Sequence, residues 1–537
     1  MGATLPTNQE RTMSLHLSRR QLVGAGLVGG AAALTGAGTL LTAPYADAAP
    51  AGDLFTLGVA SGDPLPDGVV LWTRLAPSPL DPDGRGGMAD RVRPVAWQVA
   101  ADPEFRRVVR RGVEVARPEW GHSVHAEVSG LEPGREYWYR FRVGDQVSPV
   151  GRTKTAPALG APLSAAVFGF VSCQNFPAGY FTALRHAAED QLDAMLHLGD
   201  YIYEGAGASQ LPGRAHSPAA EIFTLADYRV RHAQYKTDPD LQAAHASTPF
   251  ISVPDDHEVE NNWAGDISQV DTEPDQDPAV FRQRRADAFK ALYENMPLRR
   301  ASMPVGPDMQ LYRRIRYGDL LDFSMIDTRQ YRDDQLAACE GECAGRNDPS
   351  RTILGEQQKA WLVEGLASSE ATWQIIGNQS ITFDNDTVPG AGVDYSEDNW
   401  NGYAGERRSV YSQIHEAGVQ NVVIVTGDAH ASAASDLRVD FNDTSSPVIG
   451  TEFLGTSITS GGNGSDQSNR TRAWLAENPH IKFANNNRGY QRVRVSPELL
   501  QVDYQVVDAV TTPDAPVRTR ATLTVEAGRP GIAGVDD

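Results

Sequence analysis

AMLHLGDYIYE, residues 194–204, is a short apolar run that stops at Gly199-Asp200 and continues into two tyrosines. A run of this length bounded by a turn residue reads as a buried strand. It places Asp200 and Tyr203, three positions apart, just past the strand's carboxyl end, where both can reach one site. A phenolate is an unusual protein ligand and suits a hard, strongly Lewis-acidic ion such as ferric iron. A carboxylate beside it can bridge to a second cation. The alternative is a strand ending in a turn, with an exposed Asp200 and packed tyrosines. The surrounding chain has to decide.

Outward from this stretch the same texture repeats. AAVFGFVSC, PFISVPDDHE, LLDFSMIDTR, WQIIGNQS and NVVIVTGDAHAS are strand-like runs. TLADYRVRHAQYKTDPDLQAAHA and DPAVFRQRRADAFKALYENM between them suit helices. Buried strands alternating with helices mean an α/β fold, whose sites gather beyond the carboxyl ends of the strands. This region begins near residue 163 and is expected to run to 537. Its tail past residue 500 reads as a closing strand, LLQVDYQVV, and a weakly ordered end. Residues 53–155 differ. FTLGVASGDP, GVVLWTRL, PVAWQVAAD and HAEVSGLEPGREYWYRFRVGD are short β segments between Gly/Pro turns. LEPG followed by Tyr137, Trp138 and Tyr139 resembles a corner entering a late strand of a fibronectin-type sandwich. GRTKTAP, residues 151–157, reads as a linker.

At 537 residues the chain exceeds one ordinary core. A hydrophobic fraction of 41% describes a soluble globular protein. The net charge of −21 argues against nucleic acid or an anionic membrane as the main partner. At the N-terminus, Arg19-Arg20 precedes a weakly apolar Gly/Ala-rich stretch and then Ala46-Asp47-Ala48. That order reads as a twin-arginine secretory signal over residues 1–48. Such a signal implies the twin-arginine translocation machinery as a partner and a secreted or wall-associated destination. Of three cysteines, Cys339 and Cys343 are close enough for a local disulfide outside the cytoplasm. Cys173 is left over, either buried and inert or a metal thiolate.

Four strand ends concentrate chemistry: Cys173; Asp200 with Tyr203; Asp255-Asp256-His257-Glu258; and Asp428 with His430. Taken singly, Asp and His in loops are usually solvated or capping. Here a thiol, a phenol, imidazoles and several carboxylates all follow β runs of one α/β region. Their order and spacing resemble the metallophosphoesterases of the purple acid phosphatase group, and GDxxY matches outright. Cys173 in VSCQNF, DDHE and GDAH depart from that pattern and resemble instead the alkaline phosphatase D (PhoD) family. The resemblance runs from the N-terminal signal through GVASGDP to NNRGY at 486–490.

The resemblance implies an α/β, four-layer α/β/β/α metallophosphatase sandwich preceded by a small all-β fibronectin-like domain. It implies that Cys173, Tyr203 and His430 hold ferric iron and that Asp200 bridges to calcium. Asp256 and Asp428 would be calcium ligands, which suits carboxylates standing where relatives have amide and imidazole. Asp255 would bind a second calcium or orient its neighbour. Asn378, after IIG, would be a neutral oxygen ligand or a packed strand-end residue. His257 would bind phosphate or protonate the leaving group, unless it is structural. Arg329 would contact substrate oxygens by a forked pair of hydrogen bonds or form an ion pair with a neighbouring Asp. The implied activity is hydrolysis of phosphate esters by a metal-activated water, with no covalent serine. Some calcium-dependent secreted phospholipases D resemble the same family, so a lipid phosphodiesterase with transient lipid contact is an alternative. A secreted binding protein without activity is a more remote one.

Overall fold

In the computed structural model, which describes residues 52–337, 341 and 343–537, each apolar run named above is a strand. Phe250–Ser252, Ala194–His197 and Ala166–Val171 are parallel neighbours in that order. Leu321–Met325, Trp373–Gly377, Val422–Thr426 and Val448–Leu454 form a second parallel set. The 15-residue strand Ile481–Val495 joins the two. Its first residues pair with Ser432–Arg438, and its later ones pair with Ala166–Val171 and Leu499–Val507.

The two sets pack on each other. Phe168, Phe170, Leu196 and Ile251 share one core with Phe323, Met325, Ile375 and Val425. Both faces of these strands are covered, which is why the runs are continuously apolar rather than alternating. Phe323 meets Phe168 edge-on at 5.1 Å and Tyr317 at 5.4 Å. Truncating it to Ala would cost about 3–5 kcal/mol. On one outer side, Leu184, Tyr228, Leu241 and Phe289 from four helices pack with Met195 and Phe250. On the other, Leu362, Leu366, Val410 and Ile414 pack with Ile376, Ile424 and Leu454.

The helical stretch around 224–247 is two helices, Leu225–Lys236 and Pro239–Ser247. Thr224 and Asp227 form a capping box on the first, while Asp238 caps the second with Pro239 in its first turn. GRTKTAP is not a linker, because Gly151–Lys154 is a strand paired with Glu136–Val143. The end of the chain is not weakly ordered: Val517–Glu526 pairs along Leu499–Val507, and Gly534–Asp536 pairs with it in turn.

Within residues 53–155, the strands Val59–Leu65, Gly68–Arg74 and Ser123–Val128 bury Leu71 and Ala126 against Val99, Tyr139 and Phe141 of a five-stranded sheet. That sheet includes Val108–Ala116, whose arginines hide its alternation. Glu132 N donates to Tyr137 Oη at 2.9 Å, closing the corner read in the sequence. Gly62 pairs in parallel with Phe250, so these strands continue into the α/β sheet. A Cβ at Gly62 would lie 2.4 Å from the Pro297 carbonyl, so only glycine fits this junction. The N-terminal segment 1–48 lies outside the described residues.

Candidate metal centre

Four candidate ligands sit on strained backbone. Cys173, Asp200, Asp428 and His430 have φ of 59°, 54°, 66° and 53°. Left-handed non-glycine residues cost on the order of 1–3 kcal/mol each and cluster where function requires them. Gly199 explains the approach of two strand ends. Its φ is 112°, and a Cβ there would come 2.4 Å from Asp255 Cβ.

The side chains converge in two groups that share one residue. Ligand atoms of Cys173, Asp200 and His430 lie within 4.8 Å of one another, as do those of Asp200, Asp256 and His257. Tyr203 Oη donates to Asp200 Oδ2 at 2.9 Å and is 3.1 Å from His430 Nε2. Ser460 Oγ is 2.7 Å from Tyr203 Oη and 2.8 Å from the Cys173 carbonyl. On the other side, Asp255 Oδ1 accepts from Arg329 Nε at 2.6 Å. Asp256 Oδ2 is 3.5 Å from the same guanidinium. Arg329 also forks onto Asp398, with both bonds at 2.8 Å.

The donor set fits cations. Asp200 Oδ1 and Asp255 Oδ2 are buried without a hydrogen-bond partner, a costly state unless a ligand completes them. Burial, then the nearby Asp200 charge, pushes the Cys173 thiol and the Tyr203 phenol well up. Burial raises Asp200 and Asp428 as well, and takes Asp255 up to about 6 despite Arg329. Burial holds His430 down at about 3, leaving a neutral imidazole able to ligate. Without cations the Cys173 thiol, the Tyr203 phenol and the Asp200 and Asp428 carboxyls are shifted toward their protonated forms; with cations bound they would become a thiolate, a phenolate and carboxylates. A separate acidic group, Glu260, Asp271 and Asp275, already has a counter-charge, because Arg284 pairs with Glu260 at 3.1 Å and Asp275 at 2.7 Å.

His257 differs from its neighbours. Its Nδ1 is 2.7 Å from Glu204 Oε2, and its ring lies 4.1 Å from that of Tyr203. Burial opposes its charge, but Glu204, Asp256 and Asp200 outweigh burial and raise its pKa well above the usual value. The carboxylates around it thus favour its charged form, which can donate. Two clefts reach the centre. One of about 310 Å³ is lined by Asn175, Tyr203, Glu204 and His257. The other, of about 410 Å³, is lined by Asp428, His430, Arg470 and Tyr395.

Asn378 lies at the strand end, but its Oδ1 accepts from Trp400 Nε1 at 3.2 Å. Its Nδ2 donates to the Ser380 carbonyl. Arg329 forms the ion-pair alternative read in the sequence, with its guanidinium spread over three carboxylates. Cys343 is disulfide-bonded, while Cys339 lies outside the described residues. Cys173 is a free, buried thiol. Sequence reasoning missed Asp398, Ser460 and the role of Glu204. Glu204 closes the GDYIYE stretch, but the other two stand in loops without a periodic or motif signal.

Comparison with known proteins agrees with this architecture. A family model described as "PhoD-like phosphatase" matches residues 168–504, and one for the N-terminal domain of PhoD-like phosphatases matches residues 41–157. Alkaline phosphatase D of Bacillus subtilis (strain 168) is 49% identical over 488 residues, covering 90% of this chain and 82% of that protein. A solved structure of PhoD superposes with a TM-score of 0.86 at 48% identity, covering 90% of this chain and 92% of the other. The chain belongs to the PhoD-like phosphatase family and is a phosphohydrolase.

Proposed function

We propose that this chain is an exported alkaline phosphatase and phosphodiesterase that uses ferric iron and calcium together. The carrying observation is Asp200, the one residue common to both ligand groups. Cys173, Tyr203 and His430 would hold iron, and Asp200 would bridge from it to calcium held by Asp256 and Asp428, with Asp255 alongside. This division follows ligand chemistry: thiolate, phenolate and imidazole gather on one side, and carboxylates on the other. Within the family's fold, we assign residues 53–155 to a small all-β fibronectin-like domain and 163–537 to a four-layer α/β/β/α sandwich. Asn378 is better read as a packed residue than as a ligand, because Trp400 uses its oxygen.

Cations held by these residues would supply Lewis acidity toward the phosphoryl oxygens and acidify a water. The protein supplies the rest. His257, charged through Glu204, faces a cleft beside Tyr203 and holds a proton at Nε2 for the phosphoryl group or the leaving oxygen. Arg329 keeps Asp255 and Asp256 in place rather than meeting substrate. Export rests on Arg19-Arg20 and the small-residue site after them. The partners would be phosphate esters, the twin-arginine machinery and, for a phospholipid substrate, transient lipid contact. Rates on nitrophenyl phosphate, bis-nitrophenyl phosphate and phosphatidylcholine test the reading. Turnover of both nitrophenyl esters is expected, and turnover of the lipid alone would replace it with a phospholipase D-type activity.

A further inference from the structure

The motif NNRGY has no role in the chemistry described so far, yet its arginine lies beside it. Arg488 is 3% exposed, on the long strand Ile481–Val495 where pairing passes from one strand set to the other. A buried arginine normally takes a carboxylate partner. None of the described carboxylates pairs with Arg488. Its guanidinium donates only to carbonyls: Nη1 to His430 at 2.8 Å and Asn486 at 3.0 Å, Nε to Gly462 at 2.9 Å, and Nη2 to Gly461 at 3.2 Å.

Three of these carbonyls belong to two segments that shape the thiol-phenol-imidazole side of the centre. His430 has φ of 53°, and the bond to its carbonyl holds that conformation from behind. Gly461 and Gly462 have φ of 83° and 70° and follow Ser460, whose hydroxyl touches both Tyr203 Oη and the Cys173 carbonyl. Ser460 N also donates to that carbonyl, at 3.3 Å. A Cβ on Gly461 would come 2.6 Å from Arg488 Nη2, so glycine is what lets the fork seat. One side chain thus ties the His430 turn to the loop that braces Tyr203 and Cys173. Outer partners that orient ligands typically change metal affinity by about 10–100-fold.

We propose that Arg488 is a positioning residue for the Cys173–Tyr203–His430 ligand set, acting through backbone carbonyls. The inference rests on the metal reading above. The test measures how fast EDTA strips metal from the full-length protein, by elemental analysis, together with the position of any visible absorption band. Arg488→Gln is expected to lose metal from this side at least about tenfold faster than wild type and to shift the band, with Arg488→Lys intermediate. Arg492→Gln, on the same strand but paired with Asp190 and Asp503, controls for strand stability and is expected to match wild type. Arg488→Lys, which keeps a cation on the strand but loses the fork, gives the readout if Arg488→Gln does not fold. Variants that keep the wild-type loss rate and band, with only a lower Tm, overturn the inference. Wild-type protein that takes up no metal overturns the metal reading itself.

Discussion

The two halves of the centre neutralise their buried charge in opposite ways. The carboxylate half contains its own cation: Arg329 reaches Asp255, Asp256 and Asp398. Among the described residues the thiol-phenol half bonds through its side chains to no arginine or lysine, and its charged neighbour, His257, only packs on the Tyr203 ring at 4.1 Å. Cys173, Tyr203 and Asp200 bond to Ser172, Ser460, His430 and one another. Burying a charge without a partner is prohibitive, so the first half can stand ionised in part, whereas the second is shifted toward its protonated form until a cation arrives. Asp256 shows the difference directly. Burial opposes its charge, but Arg329 and His257 hold its carboxyl below the usual range, while burial drives Asp200 above it. One half carries a built-in counter-charge in Arg329, although Asp255 Oδ2 still lacks a partner; the other has no such guanidinium bonded to its side chains.

Changing the residue shared by both halves should have the largest effect. Asp200→Asn is expected to lower kcat/KM by at least about 10³-fold, the loss of several kcal/mol of metal-derived stabilisation. Metal content per protein, measured beside activity, should fall for both ions. Loss of only one would separate the halves.

Arg329→Gln should break the carboxylate half as a structure, leaving buried carboxylates unpaired at a cost of about 3–5 kcal/mol. Calcium can replace the missing positive charge, so the drop in Tm should shrink as calcium is added. A drop indifferent to calcium would mean that these carboxylates do not bind it.

His257 gives the comparison a pH signature. Its folded pKa is raised above the ordinary 6.5. The stabilisation from its pair with Glu204 is therefore fully present below about pH 6.5 and is lost as pH rises through the folded value. Glu204→Gln should lower that value and move the alkaline limb of the kcat/KM profile to lower pH. An unmoved limb would take His257 out of proton transfer.

Asn378 should matter least. Asn378→Ala leaves the Trp400 indole without its acceptor and should cost about 1–3 kcal/mol of stability with metal content unchanged. Lost calcium would make it a ligand after all.

The sequence carried much of this centre because strand ends are legible. Continuous apolar runs stop at Cys173, Asp200, Asp255 and Asp428, and a parallel α/β fold brings such ends together. Local patterning could not show which long-range contacts compensate them. Asp398 is 69 residues from Arg329, and Ser460 is 257 from Tyr203. The left-handed backbone at Cys173 and Asp428 left no mark either, since neither residue is a glycine. For the same reason GRTK read as a linker: a strand's partner lies elsewhere in the chain, and Thr and Lys alternate too briefly to announce one.

The central claim, that one half takes iron through a phenolate while the other takes calcium, is tested most directly by elemental analysis of the purified protein together with its visible spectrum. The expected result is iron and calcium in the same protein and a phenolate-to-iron absorption band that disappears in Tyr203→Phe. Colourless protein containing zinc alone would contradict it.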